Sequence, residues 1–463
     1  MAYRSPRRVP GVVIVAALLA ALACNLPSPR ALEDGDPPAT SQPTPALQAI
    51  PPAPSATATH TTPPTPVIPP TPTPAPTPTT DPASPLPLAA DVSFRVPPSV
   101  QRVEGSQAVV VFRVKPEAAG AVWYWREDIP SPVAFAPFEG EGAFFEGMQA
   151  IVLTDLQPGA TYRYVVRIGS DEAGWQDVLF EGAAWPVGRF RTPPFGDVIR
   201  MAAIGDSGFG EPVTYRLAEI MAAYNPDVVL HLGDVVYKVG MEGGPKPAFI
   251  AKLYKPLMPV LASAPFYPVI GNHDLDWDTY ENGIARYYVA FPPIFDTAHD
   301  GLRKWYAVPL GDVQLLMLDT QTFFGESGRG EQDAWLTERL ADPAYRLTIP
   351  VFHVPPYDGG EIHSEDGRAV RAAWVPLFEE AGIRLAMTAH SHNYQRIVVG
   401  PITYVISGGG TTALYRVTNP PPGTEFAATV SHVVFFEIYA DRIDLRAVDA
   451  DGQQIDATTI PLP

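Results

Sequence analysis

Five short motifs carry most of the chemistry legible in this sequence. The run MAAIGDSGFG stops on a Gly-flanked acid, Asp206, and VVLHLGDVVY does the same at Asp234. Further along come GNHD with Asn272 and His273, VFHVPP with His353, and AHSHNYQR with His390 and His392. Six of the nine histidines lie between positions 273 and 392, a concentration that core packing does not require. Carboxylate, amide and imidazole groups delivered by apolar strands onto tight turns are suited to holding a charged ligand, metal ions included. Taken singly, each has a structural explanation: Asp206 as a helix cap, Asp234 and Asn272 as turn residues, His353 as a buried strand histidine. Five such motifs at comparable strand ends favour one shared ligand over five separate accidents.

The elements that must position these groups read as an α/β domain over residues 196–463. DVIRMAAI precedes PVTYRLAEIMAAYN, in which Leu217, Ile220, Met221 and Tyr224 share one helical face. PDVVLHL precedes a second helix candidate, PAFIAKLYKPLMPVL, and later come FYPVI, VQLLML, LTIPVFHV, the helix VRAAWVPLFEEAG, RLAMTA and ITYVISGGG. Such β-α alternation places functional groups beyond the carboxyl ends of strands. Residues 89–195 read instead as short strands between Pro and Gly turns, an all-β sandwich of fibronectin type III-like character. Trp123 and Trp125 alternate with Tyr124, so one face of that strand belongs to a core. In LQPGATYRYVV, Tyr162 begins a strand just after a turn, as a corner tyrosine of such sandwiches does.

Charge and the N-terminus set further bounds. A formal net charge of −18 over 463 residues argues against a nucleic-acid partner. It would also repel phosphate unless metal ions reverse the sign locally. Arg4, Arg7 and Arg8 precede an apolar run from Val12 to Ala23, a secretory signal pattern over residues 1–24. That run is shorter than the roughly 20 residues a spanning helix needs. Cys24, the sole cysteine, excludes an internal disulfide and resembles a lipoprotein acceptor, with Ala21 where Leu is usual. Residues 25–88, rich in Pro and Thr, cannot bury a core and read as an extended stalk. The expected product is an exported protein, either a cell-surface lipoprotein or secreted.

The order and spacing of the five motifs resemble the metallophosphoesterase (calcineurin-like phosphoesterase) superfamily, whose pattern runs D-x-H, GD-x-x, GNH, H, then G-H-x-H. Gly208 stands where that pattern has a metal-binding His, and Tyr237 lies three residues beyond Asp234. GDxG combined with GDxxY is similar to the purple acid phosphatase branch, where a tyrosinate replaces the imidazole. The resemblance covers residues from about 90 to 455, sandwich included. It implies two β-sheets packed between helices, an α/β/β/α sandwich. It also implies that Asp206, Asp234, Tyr237 and His392 bind ferric iron. Asp234 would bridge to a divalent ion, zinc, manganese or ferrous iron, also held by Asn272, His353 and His390. His273 would contact the phosphate or protonate the leaving oxygen, and His363 in YDGGEIHSEDGR would be a further substrate-side histidine.

The donor chemistry agrees, since phenolate and carboxylate suit a trivalent ion while imidazole and amide suit a divalent one. About three ligand charges against roughly five on the metals leave a cationic site that attracts phosphate. The implied activity is hydrolysis of small-molecule phosphate monoesters, of acid phosphatase type, by a metal-activated hydroxide. The ligands alone leave phosphodiesters and nucleotides open as substrates, and a surface-binding protein with a degenerate site is the non-enzymatic alternative. Ala389, Ser391 and Gln395 depart from the usual Gly, Asp and Glu. His231 reads as a buried strand histidine, while His299 and His432 carry no readable role.

Overall fold

The computed structural model describes residues 83–129, 134–137, 147–237, 248–275, 291, 304–325 and 327–463. Cys24, the signal pattern, nearly all of the stalk and His299 lie outside these residues. Among the described residues no helix is long and apolar enough to cross a membrane.

Nine strands between Leu88 and Arg191 join in one hydrogen-bonded sheet. Its long strand Leu88–Glu104 pairs in parallel with Gly174–Phe180 and antiparallel with Gln107–Lys115. Register shifts near Val96 and Val100 bend it, so one strand serves both halves of the sheet. Val110, Phe112, Tyr164 and Phe190 fill the interior. In strand Gly120–Arg126 the core face is that of Val122 and Tyr124. Trp123 lies on the other face, edge-on to Phe135 and Trp175 at 4.9 and 4.7 Å between ring centroids. The Tyr162 hydroxyl accepts the Gln157 N–H at 2.8 Å, the bond a corner tyrosine makes. Tyr267 accepts the Val103 N–H at 3.2 Å and Asp227 pairs with Arg191 at 3.3 Å, which ties this sheet to the α/β domain.

From Ile199 onward the chain forms two sheets. The first has six strands, in the order Phe266–Pro268, Val228–His231, Ile199–Ile204, His432–Ile438, Arg442–Asp449, Gln454–Pro461; its first three are parallel. The second has seven and a parallel centre of Val313–Met317, Leu347–Val351, Leu385–Thr388 and Ile402–Ser407. The strand period of two decides how they stack. Leu315, Met317, Ile349 and Met387 join the core shared with the first sheet, whereas Leu316, Leu318, Ala386 and Ile406 pack with Val370, Trp374 and Phe378 of helix Arg368–Glu380. The domain is mixed α/β, with sheets inside and helices outside, as the resemblance implies.

Helix Pro212–Tyr224 buries Thr214, Leu217, Ala218 and Met221, close to the stripe read from the sequence. The second helix candidate is broken in two, a π turn at Ile250–Tyr254 and a helix at Met258–Ser263. Pro256 and Pro259 lie where one continuous helix would need backbone N–H donors.

Candidate metal centre

Strands ending at Ile204, His231 and Pro268 in one sheet, and at Val351 and Thr388 in the other, deliver the residues after them to one place. Asp206 Oδ2 accepts the His390 N–H at 3.0 Å, and Asp234 Oδ1 accepts the His273 N–H at 2.9 Å. Asp206, Asp234 and His390 all hold left-handed backbone, with φ of 57°, 55° and 68°. Such conformations cost energy in residues other than glycine and persist where the surroundings enforce them, which is common at functional sites. Gly208 has a specific cause. A Cβ there would lie 2.7 Å from the Asp234 carbonyl oxygen, the Tyr237 N and the Tyr237 ring, so any side chain at 208 would collide with the backbone of this turn as well as with the phenol. Phe209 stacks on Tyr237 at 4.1 Å and 8°, holding the phenol in place.

The histidine tautomers follow from their partners, because a carbonyl or carboxylate oxygen can only accept. His392 Nδ1 donates to Ala413 O at 2.7 Å, His353 Nδ1 to Leu232 O at 2.8 Å, and His390 Nε2 to Asp366 Oδ2 at 3.0 Å. In neutral rings the opposite nitrogens then carry lone pairs. His392 Nε2 faces the Tyr237 hydroxyl at 3.0 Å, and Asp206 Oδ1 lies 3.3 Å from that hydroxyl and 3.5 Å from the nitrogen. His353 Nε2 faces His390 Nδ1 at 3.2 Å, Asn272 Oδ1 at 3.2 Å and Asp234 Oδ1 at 3.5 Å. With both rings neutral the second set is four acceptors, which can hold together only with a cation, or a proton on His353 Nε2, among them. Donor atoms of Asp206, Asp234 and His353 lie within 4.8 Å of one another, so the two sets adjoin.

Electrostatics agree with that geometry. Asp206 and Asp234 are buried, and among the described residues neither is paired with a lysine or arginine. Burial opposes ionisation of Asp234, yet His353 and His273 hold its carboxyl well below the ordinary value. Burial likewise opposes charge on His353, but Asp234 outweighs it and raises the ring to about 9. His390 is driven down to about 3, by burial first and then by His363. Buried acceptors of this kind demand a cation, and hard oxygen donors beside imidazoles are a set that metal ions fit.

All nine residues singled out in the sequence lie in or beside this cluster. His273 and His363 are 7% and 9% exposed, close to His390 at 6%, and Asn272 is half-buried, so these four form the less buried rim of the cluster. The His273 ring tilts against Tyr237 at 4.6 Å, and the His363 ring lies 4.1 Å from His390. Two acids escaped the sequence reading. Asp274 accepts the Val236 and Gly271 N–H groups at 3.1 and 2.9 Å, and burial together with Asp234 pushes it up to about 8. It comes directly after GNH, which was its available signal. Asp366 accepts from both His363 and His390, at 2.9 and 3.0 Å, and nothing in HSEDGR distinguishes it from Glu365. His231 is fully buried against the Ser207 hydroxyl at 2.8 Å, and His432 Nδ1 bonds the Val430 carbonyl at 2.9 Å.

Gln395 has a local reason. Its Nε2 donates to Asp358 Oδ1 at 2.5 Å and Asn393 Oδ1 at 2.8 Å, while its Oε1 accepts the Gly359 N–H at 2.9 Å. A glutamate there would set one buried carboxylate against another. Gln395→Glu is therefore expected to cost about 2–3 kcal/mol in chemical denaturation, and adding Asp358→Asn should recover most of it. An unchanged stability in the single variant would show that the amide donors contribute nothing.

Comparison with known proteins gives a consistent picture. Residues 199–394 match the model of the calcineurin-like phosphoesterase family, so the chain carries such a domain. It is 26% identical over 282 residues to purple acid phosphatase 22 of Arabidopsis thaliana, covering 56% of this chain and 62% of that protein. It is 28% identical over 316 residues to acid phosphatase type 7 of Mus musculus, covering 61% and 66% respectively. The chain thus spans a little under two thirds of the length of these curated relatives. The fold is similar to that of the purple acid phosphatase PPD1 from yellow lupin (Lupinus luteus) seeds, with a TM-score of 0.62 at 17% identity over 79% of this chain and 74% of that one.

Proposed function

We propose that this chain, through the phosphoesterase domain at residues 199–394, is a dinuclear metal-dependent hydrolase of small phosphate monoesters, of purple acid phosphatase type. The observation that carries the reading is the pair of adjoining acceptor sets, buried but for the half-buried Asn272 and without a lysine or arginine among the described residues to neutralise them. Asp206, Tyr237 and His392 suit a ferric ion, Asn272, His353 and His390 a zinc, manganese or ferrous ion, with Asp234 between the two. When bound, such a pair polarises the phosphoryl oxygens and acidifies a water at modest pH.

The chain's own residues do the rest. Ala413, Leu232 and Asp366 fix the three imidazoles with their lone pairs turned inward. Asp234 Oδ1 anchors the GNHD turn through the His273 N–H, which brings that ring to the rim where a phosphate oxygen or leaving oxygen would lie. His363 lies against His390, with the two rings 4.1 Å apart. The imidazoles of His273 and His363 can each hold a proton beside the departing alcohol. We further assign residues 89–195 to a fibronectin type III-like module, supported by the bent shared strand and the Tyr162 corner bond, and residues 1–88 to a lipoprotein-type leader and stalk, supported by their sequence.

The test is hydrolysis by the full chain of a phosphate monoester, a diester and ATP, before and after chelation. Monoester turnover is expected to be fastest, to fall to background on chelation and to return with iron plus zinc. Turnover that survives chelation would overturn the metal-dependent reading. Preferred cleavage of the diester or ATP would replace the substrate assignment alone.

A further inference from the structure

We propose that Asp366 is a positioning residue that couples the rim histidine His363 to the cluster histidine His390, an inference that rests on the dinuclear reading above. A single oxygen, Asp366 Oδ2, accepts from His363 Nδ1 at 2.9 Å and from His390 Nε2 at 3.0 Å. Each ring therefore directs its other nitrogen away from that carboxylate. His390 turns Nδ1 toward His353 Nε2, and His363, its Nδ1 held by the carboxylate, has its Nε2 on the far edge of the ring from Asp366. The two rings sit 4.1 Å apart at 40°, so neither can rotate without moving the other or breaking a charge-assisted bond.

The carboxylate is itself held. The Asp366 N–H donates to the His363 carbonyl at 3.1 Å, which closes the turn between them. The next residue is Gly367, where a Cβ would lie 1.7 Å from the Pro355 carbonyl oxygen. No other residue allows that approach, and the approach keeps the turn against the segment just after His353. Helix Arg368–Glu380 then starts at once, with the Arg371 N–H bonded to the Gly367 carbonyl at 2.8 Å. The neighbouring Glu365 turns away to pair with Arg368 in solvent. A carboxylate that orients a metal-binding imidazole typically changes affinity or activity by about 10- to 100-fold when removed. Here the same oxygen also orients His363, the histidine that the proposed mechanism sets beside the leaving group.

The experiment compares the full chain with Asp366→Ala, His363→Ala, the double variant and Glu365→Ala, all checked for folding by circular dichroism. Competition with a chelator should show the divalent ion held about 10- to 100-fold more weakly in Asp366→Ala. Its kcat should fall more on an alkyl phosphate, which needs leaving-group assistance, than on an activated aryl phosphate, with KM little changed. With the divalent ion at saturation the double variant should have a kcat no lower than that of His363→Ala, and Glu365→Ala should match the parent. Asp366→Asn, which keeps the shape but offers a neutral acceptor, should show the same leaving-group pattern and stands in if the alanine variant unfolds. Parental affinity and kcat in Asp366→Ala, or losses that multiply in the double variant, would overturn the coupling. So would a third equivalent of metal that only Asp366→Ala loses, because Asp366 would then be a ligand. A parent chain that binds no pair of ions would instead defeat the dinuclear reading, and that is seen before any variant is compared.

Discussion

Asp234→Ala is expected to lower phosphate monoester turnover by about three orders of magnitude, the largest loss of any single substitution in this chain. Two effects combine. The substitution removes the carboxylate that lies 3.5 Å from His353 Nε2 and within 4.8 Å of Asp206, which is the negative charge between the two acceptor sets. It also leaves the His273 N–H without the acceptor that fixes the GNHD turn at 2.9 Å. Asp234→Asn separates the two contributions, because an amide oxygen still accepts from His273 while the charge is gone. If charge between the metals dominates, the asparagine variant should be nearly as slow as the alanine one and should lose bound metal. Steady-state kinetics with elemental analysis reads both quantities. Turnover within tenfold of the parent in Asp234→Ala would remove this residue from the centre of the site.

Tyr237→Phe should abolish visible absorption from a tyrosinate-to-iron charge transfer while leaving the fold in place. The hydroxyl is the only atom removed, and it is the atom that meets His392 Nε2 at 3.0 Å and Asp206 Oδ1 at 3.3 Å. The phenylalanine ring keeps its stack on Phe209 and its clearance over Gly208, so the loop should hold its shape. Loss of an anionic oxygen donor weakens a trivalent ion far more than a divalent one. The visible spectrum and the iron content should therefore drop together, with zinc retained. A parent protein that is colourless, zinc-only and active would keep the phosphoesterase reading and remove the iron.

How much of this could be read in advance depended on how local the cause was. Asp206, Asp234 and Asn272 stand two, three and four residues beyond the ends of apolar strands, and a Gly-Asp or Gly-Asn pair after such a run is a local pattern. Helix Pro212–Tyr224 was legible because its buried residues recur at helical spacing. The segment after residue 247 was misleading, since its apolar spacing suited one helix while Pro256 and Pro259 divided it. The face of Trp123 could not be settled by alternation alone, because both faces of Gly120–Arg126 carry large side chains and only packing chooses between them.

Residue type and hydrophobic period are properties of short segments, and they already name the donor atoms, their order along the chain and the strand ends that deliver them. Which nitrogen of each histidine turns inward, why Gly208 and Tyr237 belong together and why Gln395 stands opposite Asp358 emerge once the chain has folded. The fold alone singles out Asp366 from Glu365, two adjacent acids of nearly equal chemistry. The physical reason is the same in each case: hydrogen bonds and steric clearances act over about 3 Å between residues that lie from 3 to 184 positions apart, as His363 is from Asp366 and Asp206 from His390.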